Sequence, residues 1–196
     1  MTQKRANSPV GKLRIIGGRW RSRQLPVAAL EGLRPTTDRV RETLFNWLQG
    51  ETGGAHCLDL FAGSGALGFE AASRGAASVL MLELQAPAVA QLKDNIKQLQ
   101  AESIQIVRED ALEWLKTAPA TPWDIVFIDP PFASDYLAQT CGLLENGSWL
   151  AEKATIYLEM DSARPLPALP ANWHIVKEKK AGQVCYYLAK RNFTEN

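Results

Sequence analysis

The sharpest chemical signal in the sequence is Asp129-Pro130-Pro131-Phe132, which follows the apolar run Trp123–Ile128. Consecutive prolines fix the backbone and leave carbonyl groups that no ring nitrogen can bond. Asp129 and the Pro130 carbonyl would accept the two protons of an amino group on an aromatic base and aim its lone pair at a methyl group. Pro131 and Phe132 would hold the base, which must be flipped out of any duplex. The alternative is a structural turn with Phe132 in the core.

A glycine-rich turn supplies the second signal. Gly63, Gly65 and Gly68 form a Gly-x-Gly-x-x-Gly motif, and Glu83 lies 20 residues after Gly63, where a carboxylate can take ribose hydroxyls. The motif also fits a nicotinamide dinucleotide site. However, Asp59 would oppose a pyrophosphate at this helix N-terminus, whereas it would attract a methionine ammonium. The pattern therefore favours a cofactor without phosphate, and Asp59 could alternatively orient the loop.

Acidic or glycine-rich residues follow four successive apolar runs. The third run, Ile104–Val107, is followed by Asp110, which could accept a hydrogen bond from an adenine amino group. Asp110 could also merely cap a helix that begins at Ala111. Because ligands bind beyond the carboxyl ends of parallel strands, we expect these groups to line one cleft.

The elements that must position these residues alternate between strand and helix. Such alternation predicts right-handed βαβ units, a doubly wound, mostly parallel sheet and an α/β, Rossmann-like fold. The predicted strands are 57–61, 78–83, 104–107, 123–128 and 155–158, and the predicted helices are 66–74, 87–99, 111–116 and 136–144. A proline-rich link then leads into a predicted hairpin of strands 173–178 and 184–188 at one edge of the sheet.

The first part of the chain differs from the rest. Alternating residues predict a short hairpin over 13–16 and 19–25, and Thr36 or Thr37 can cap a helix whose apolar residues recur at helical spacing. We therefore predict a hairpin and helix extension over residues 1–52 and a cofactor-binding domain over residues 53–196.

The extension is strongly basic. Residues 1–50 carry ten basic side chains against three acidic ones, whereas the whole chain of 196 residues has a net charge of +1. A basic segment on an acidic body is typical of a polyanion-binding arm, although a solvated basic face is the alternative. The arginines that we expect to contact phosphates of this polyanion are Arg19, Arg21, Arg34, Arg39 and Arg41.

Composition excludes several other classes. Three scattered cysteines and two histidines argue against a disulfide framework and a zinc site, so we expect no metal. No apolar run approaches the roughly 20 residues of a membrane span, and the first residues lack the apolar region of a secretory signal. The sequence therefore predicts a cytoplasmic protein that does not contact membranes.

Taken together, these motifs resemble those of class I S-adenosylmethionine-dependent methyltransferases that methylate nitrogen. Residues 14–18 and 33–47 further resemble the RsmD-type bacterial 16S ribosomal RNA guanine-N2 methyltransferases, and the likeness runs from about residue 13 to residue 188. The resemblance implies that Asp59, Gly63 and Gly65 hold the methionine end of S-adenosylmethionine, Glu83 its ribose and Asp110 its adenine. The adjoining residues of the predicted cofactor site are Phe61, Ala62, Leu84 and Ala111.

The resemblance also implies a fold and a substrate. We expect a seven-stranded sheet with a reversed last strand, a monomer, and methyl transfer to N2 of one guanine in 16S ribosomal RNA, within the 30S subunit. Asp129 and Pro130 would act on the amine. The alternatives are an adenine-N6 methyltransferase of DNA or RNA, and a nucleic-acid-binding protein with a vestigial methyltransferase fold.

Overall fold

The computed structural model describes residues 11–29, 37–117, 121–131 and 136–192. The strands are β1 Gly11–Arg14, β2 Gln24–Val27, β3 His56–Asp59, β4 Ser78–Leu82, β5 Ile104–Val107, β6 Trp123–Ile128, β7 Leu150–Asp161, β8 Trp173–Ala181 and β9 Val184–Arg191. The helices are α1 Asp38–Trp47, α2 Ala66–Ser73, α3 Ala86–Leu99, α4 Ala111–Trp114 and α5 Tyr136–Asn146. None of the described helices is long and apolar enough to cross a membrane.

The main sheet has seven strands in the order β5-β4-β3-β6-β7-β9-β8. Strands β3 to β7 pair in parallel, and β9 lies antiparallel to both β7 and β8. This arrangement confirms the predicted doubly wound sheet with a reversed last strand. The chain builds outward from β3 to β5 and then returns to the other side of β3, so the topological switch point lies between β3 and β6. A ligand is expected beyond the carboxyl ends of these two strands.

Both faces of the sheet are covered, which explains why its central strands read as continuous apolar runs. In β6, Ile125 and Phe127 face a core shared with the hairpin and with α1 to α3, whereas Val126 and Ile128 face a core shared with α4 and α5. Burial of each such side chain contributes roughly 1.5–3 kcal/mol to stability. These contacts fix the positions of the strand ends that carry the site residues.

The N-terminal extension packs against the main sheet. β1 and β2 form a separate two-stranded antiparallel sheet, and its residues Leu13, Leu25 and Val27 belong to the same apolar core as β3 and β6. α1 begins after Thr37, whose Oγ1 accepts a hydrogen bond from the Val40 N–H at 3.4 Å. The predicted hairpin and helix are therefore present and share a core with the rest of the chain.

The limits of most predicted elements shift by up to three residues, and those of the second hairpin strand and of β7 shift further. The second hairpin strand begins at Gln24 rather than at residue 19, because the intervening segment turns back on itself: the Ser22 N–H bonds the Ile15 carbonyl, and Ser22 has a φ of 67°. Strand β7 is longer than the predicted 155–158 because its far end also pairs with β9, down to the pair Asp161 and Val184.

Candidate active site

A cavity of about 700 Å³ lies over the carboxyl ends of β3, β4, β6 and β7. Its size is typical of a small-molecule site. The described residues that line it include six acidic side chains and no lysine, arginine or histidine. The acidic residues are Asp59, Glu83, Glu109, Asp110, Asp129 and Glu159. Such walls repel phosphate groups and attract cations and amino groups, which disfavours the nicotinamide dinucleotide alternative.

The three glycines of the motif have different structural tasks. Gly63 lines the cavity. Gly65 has a φ of +77°, and a Cβ there would lie 2.6 Å from Leu92 Cδ2 and from Phe69 Cε2. A Cβ at Gly68 would lie 2.3 Å from Met81 Cε. Gly65 and Gly68 therefore let α2 pack closely, and Gly63 is the glycine that faces the cleft.

Asp59 is buried at the base of the glycine-rich loop, with 2% of its surface exposed. Its Oδ2 accepts a hydrogen bond from the Gly68 N–H at 3.1 Å, so it orients the loop. Burial raises the pKa of Asp59 to about 7, against the backbone amides of Gly68 and Phe61, which lower it, while the charge of Glu83 raises it further. Because Asp59 also lines the cavity, a cationic ligand group nearby would favour its ionised form.

Glu83, at the end of β4, braces the same loop. Its Oε2 accepts a hydrogen bond from the Gly63 N–H at 2.9 Å, and its Oε1 accepts one from the Gln85 N–H at 2.7 Å. A carboxylate has about four acceptor positions, so both oxygens retain capacity for ligand hydroxyls. Leu84 is 57% exposed beside it and offers an apolar surface to the cavity.

Asp110 is the N-cap of α4. Its Oδ1 accepts hydrogen bonds from the Leu112 N–H at 2.9 Å and the Glu113 N–H at 3.2 Å. The capping alternative is therefore real, but it engages one oxygen only, and Asp110 still lines the cavity beside the buried Ala111. Phe61 and Ala62 also line the cavity, as predicted from the motif.

The opposite end of the cavity is built where β6 and β7 end. Asp129, the buried Pro130 and the exposed Pro131 line it, whereas Phe132 lies outside the described residues. Glu159 at the end of β7 also lines this part, and the sequence analysis missed it. Its sequence signal is an acidic residue within the otherwise apolar run 156–160.

Glu159 is held by a neighbouring tyrosine. The Tyr157 hydroxyl donates a hydrogen bond to Glu159 Oε2 at 2.6 Å. Burial raises the pKa of Glu159, and this hydrogen bond opposes the rise. Burial, and then the charges of Glu159 and Asp129, raise the pKa of Tyr157 well above its usual value, so the tyrosine stays a neutral donor.

The predicted RNA-contacting arginines fall into three groups. Arg19, Arg21 and Arg39 are exposed. Arg34 lies outside the described residues. Arg41 differs from the expectation, because its side chain is only 1% exposed. Its guanidinium donates hydrogen bonds to Asp38 Oδ1 at 2.6 Å and to the backbone carbonyl of Arg14 at 2.9 Å. Because its side chain is buried, Arg41 stabilises the N-terminal extension and is not available to contact RNA.

Trp20, the aromatic residue between Arg19 and Arg21, anchors the hairpin. It is buried, and the Arg19 guanidinium carbon lies 5.8 Å from the centre of its ring. The backbone N–H of Trp20 donates a hydrogen bond at 2.9 Å to Oγ of Ser73, the last residue of α2. Within the described ranges, no group of three or more His, Cys, Asp or Glu side chains is arranged to hold a metal ion.

The sheet order and the acidic cleft at its switch point define a class I, S-adenosylmethionine-dependent methyltransferase. The structure of SMU.776, solved in complex with SAH, shares this fold with a TM-score of 0.67 at 18% identity, over 85% of this chain and 53% of that one. At that identity the likeness shows the fold alone.

The chain belongs to the family described as "Conserved hypothetical protein 95", which matches residues 13–190. It is 50% identical over 185 residues to "Ribosomal RNA small subunit methyltransferase D" of Escherichia coli (strain K12), covering 94% of this chain and 93% of that protein. The solved structure of yhhF from Escherichia coli matches with a TM-score of 0.86 and 49% identity, covering 92% of this chain and 98% of that chain.

Proposed function

We propose that this protein transfers a methyl group from S-adenosylmethionine to the exocyclic N2 amine of one guanine in 16S ribosomal RNA, within the assembled 30S subunit. The observation that carries the proposal is the position of Asp129 and Pro130, which line the same cavity as the glycine-rich loop and follow the strand next to β3. An amino group bound by these two residues would lie next to the proposed cofactor site.

The residues present fit the cofactor. Asp59 and Gly63 would hold the methionine end, Glu83 the ribose hydroxyls, and Asp110 the adenine amino group, with Leu84 against the adenine ring. The absence of basic side chains from the described cavity walls suits a ligand that carries an ammonium and no phosphate. When bound, S-adenosylmethionine supplies an electrophilic methyl group on a sulfonium.

The acceptor end suits an amine attached to an aromatic ring. Such a nitrogen is a poor nucleophile because its lone pair is delocalised into the ring. The Asp129 carboxylate and the Pro130 carbonyl would accept its two protons, favour a pyramidal nitrogen and aim the lone pair at the methyl group. Acceptors placed in this way stabilise the positive charge that develops on the nitrogen. From the sequence, Phe132 would stack on the base.

The RNA substrate is supported by charge and by relationship. Arg19 and Arg21 project from the hairpin and Arg39 from α1, on an extension that is basic over residues 1–50. Exposed arginines bind phosphates without regard to sequence and position the duplex or loop, while the pocket selects the base. The related protein of Escherichia coli is named as a small-subunit ribosomal RNA methyltransferase.

The experiment is methyl transfer from tritiated S-adenosylmethionine to three acceptors: 30S subunits from a strain that lacks the gene, naked 16S RNA, and duplex DNA. Nucleoside analysis of each product follows. We expect label in N2-methylguanosine from 30S subunits. Label in N6-methyladenosine would replace the guanine assignment with the adenine one, and cofactor binding without transfer to any acceptor would support a binding protein.

A further inference from the structure

Glu159 is a buried carboxyl group at the acceptor end of the cavity. The proposed reaction gives it no role. We infer that Glu159 selects guanine by accepting the hydrogen bond of the base N1–H while Asp129 and Pro130 hold the N2 amine. This inference rests on the proposed function and adds to it the residue that determines which base is accepted.

The strand register brings Glu159 to the reaction centre. Strands β6 and β7 are parallel, with Phe127 opposite Tyr157 and Ile128 opposite Leu158. The register, continued by one residue, sets Glu159 beside Asp129, on neighbouring strands that lie about 4.8 Å apart. The charge of Asp129 contributes to the raised pKa of Tyr157, which is the hydrogen-bond partner of Glu159. This proximity agrees with the placement of Glu159 beside Asp129.

Tyr157 fixes Glu159 as an acceptor. The tyrosine is fully buried between Phe127 and Tyr186, whose ring centres lie 6.4 Å from its own. Its hydroxyl donates to Glu159 Oε2 at 2.6 Å, which orients the carboxyl group and opposes the rise in its pKa that burial causes. Glu159 itself is 5% exposed, so its remaining acceptor capacity is directed within the protein rather than to bulk water.

Glu159 also lies where a base must enter. It lines the large cavity together with Asp129 and Pro130, and it lines a second cavity of about 270 Å³ together with Pro130 and Pro131. The two cavities therefore share a wall that Pro130, Pro131 and Glu159 form. A base whose amine is held by Asp129 presents its next ring atom to this wall.

The chemistry of the base edge decides what Glu159 accepts. Guanine presents three donor hydrogens side by side, one on N1 and two on N2, and the site offers three acceptors: the carboxylates of Glu159 and Asp129 and the carbonyl of Pro130. Adenine presents an N6 amine next to an N1 that carries a lone pair. An ionised carboxylate only accepts hydrogen bonds, so it would face that lone pair without a proton between them. A site built to bond a donor rejects an analogue that lacks it.

The test uses 30S subunits reconstituted with 2-aminopurine in place of the methylated guanine. This base keeps the 2-amino group but has no hydrogen on N1. With the wild-type enzyme we expect kcat/KM to fall roughly 10- to 100-fold relative to guanine, the loss typical of one hydrogen bond to a charged group. The amide of Glu159→Gln can donate a hydrogen bond to the N1 of 2-aminopurine. With this variant we expect kcat/KM for the two substrates to differ by less than about threefold.

Two further variants complete the design. Glu152→Gln lies on the same strand but is exposed and outside both cavities, so it should discriminate as the wild type does. Tyr157→Phe removes the hydrogen bond that fixes Glu159 and should weaken the discrimination partly. 2-Aminopurine also lacks O6, and this loss affects the wild type and every variant alike. Dividing the guanine-to-2-aminopurine ratio of kcat/KM in the wild type by the same ratio in a variant therefore isolates the contact at N1.

The outcomes separate the inference from the function on which it rests. A wild-type level of discrimination in a folded, active Glu159→Gln variant overturns the role of Glu159 and leaves guanine-N2 methylation intact. If the wild-type enzyme places no label on N2 of guanine, the proposed function fails, and the inference fails with it.

Discussion

Replacement of Glu70 with glutamine should loosen the N-terminal extension from the body of the enzyme. Glu70 lies in α2, is fully buried, and accepts hydrogen bonds from the Ile16 and Gly17 N–H groups, both at 2.8 Å. It also bonds Arg74 Nε at 2.7 Å, and Arg41 Nη1 lies 3.7 Å from its Oε2. One carboxylate thus joins the hairpin that carries the exposed arginines to the helix that follows the glycine-rich loop.

The size of the effect follows from the burial of these partners. The variant leaves the Arg41 guanidinium, 1% exposed, paired with Asp38 alone among its two carboxylate neighbours, and it turns an amide donor toward one of the two backbone donors. Breaking a buried ion pair on one side costs about 3–5 kcal/mol. We expect the lower half of this range, because Asp38 still compensates part of the charge. Domains have total stabilities of about 5–15 kcal/mol, so the loss is substantial.

The assay is urea unfolding together with hydrogen exchange at the hairpin amides. A loss of about 3 kcal/mol corresponds to a midpoint lower by about 1–2 M urea. The Ile16 and Gly17 amides should lose protection first. The control is Glu113→Gln, which removes an ion pair to Lys116 between side chains that are 64% and 57% exposed, and should cost less than about 1 kcal/mol. Equal losses in the two variants would refute the assignment of Glu70.

Two further predictions concern the cofactor end. Because burial raises the pKa of Asp59 to about 7 and a cationic ammonium binds the ionised form, cofactor affinity should rise about tenfold per pH unit below 7 and level off above it. Calorimetric titration of the wild type and Asp59→Asn checks this, and a pH dependence that persists in the variant contradicts it. Gly65→Ala should cost about 2–4 kcal/mol of stability in urea unfolding, because its φ is +77° and its Cβ would lie 2.6 Å from Leu92 and Phe69. The control Gly182→Ala, with a φ of +61° and no atom within 4 Å of the added Cβ, should cost only about 1 kcal/mol, and equal losses would contradict the packing role.

The fold and the cofactor end of the site were predictable from the sequence because their signals are local. Each strand run is followed directly by its chemical group, and a parallel sheet brings those groups together without further information. Asp59, Glu83 and Asp110 therefore line one cavity, as expected. The capping alternative for Asp110 was also visible, since a cap needs only the next three residues.

Residues whose role depends on strand register or burial were not predictable in this way. Glu159 is separated from Asp129 by 30 positions in the sequence, and only the pairing of β6 with β7 places them side by side. Arg41 was misassigned because a cluster of positive charges does not reveal that one member packs inward against Asp38 and Glu70. Such positions follow from tertiary contacts and not from local pattern.

The most direct test of the account compares Asp129→Ala with the wild type in two measurements on the same samples, cofactor binding and single-turnover methyl transfer. Asp129 follows β6 and is not among the residues proposed to bind the cofactor, so cofactor affinity should change by less than about threefold. Methyl transfer to 30S subunits should fall roughly 10²- to 10⁴-fold, the range typical of a group that takes part in proton transfer. Normal turnover in Asp129→Ala would contradict the central claim that Asp129 acts on the accepting amine.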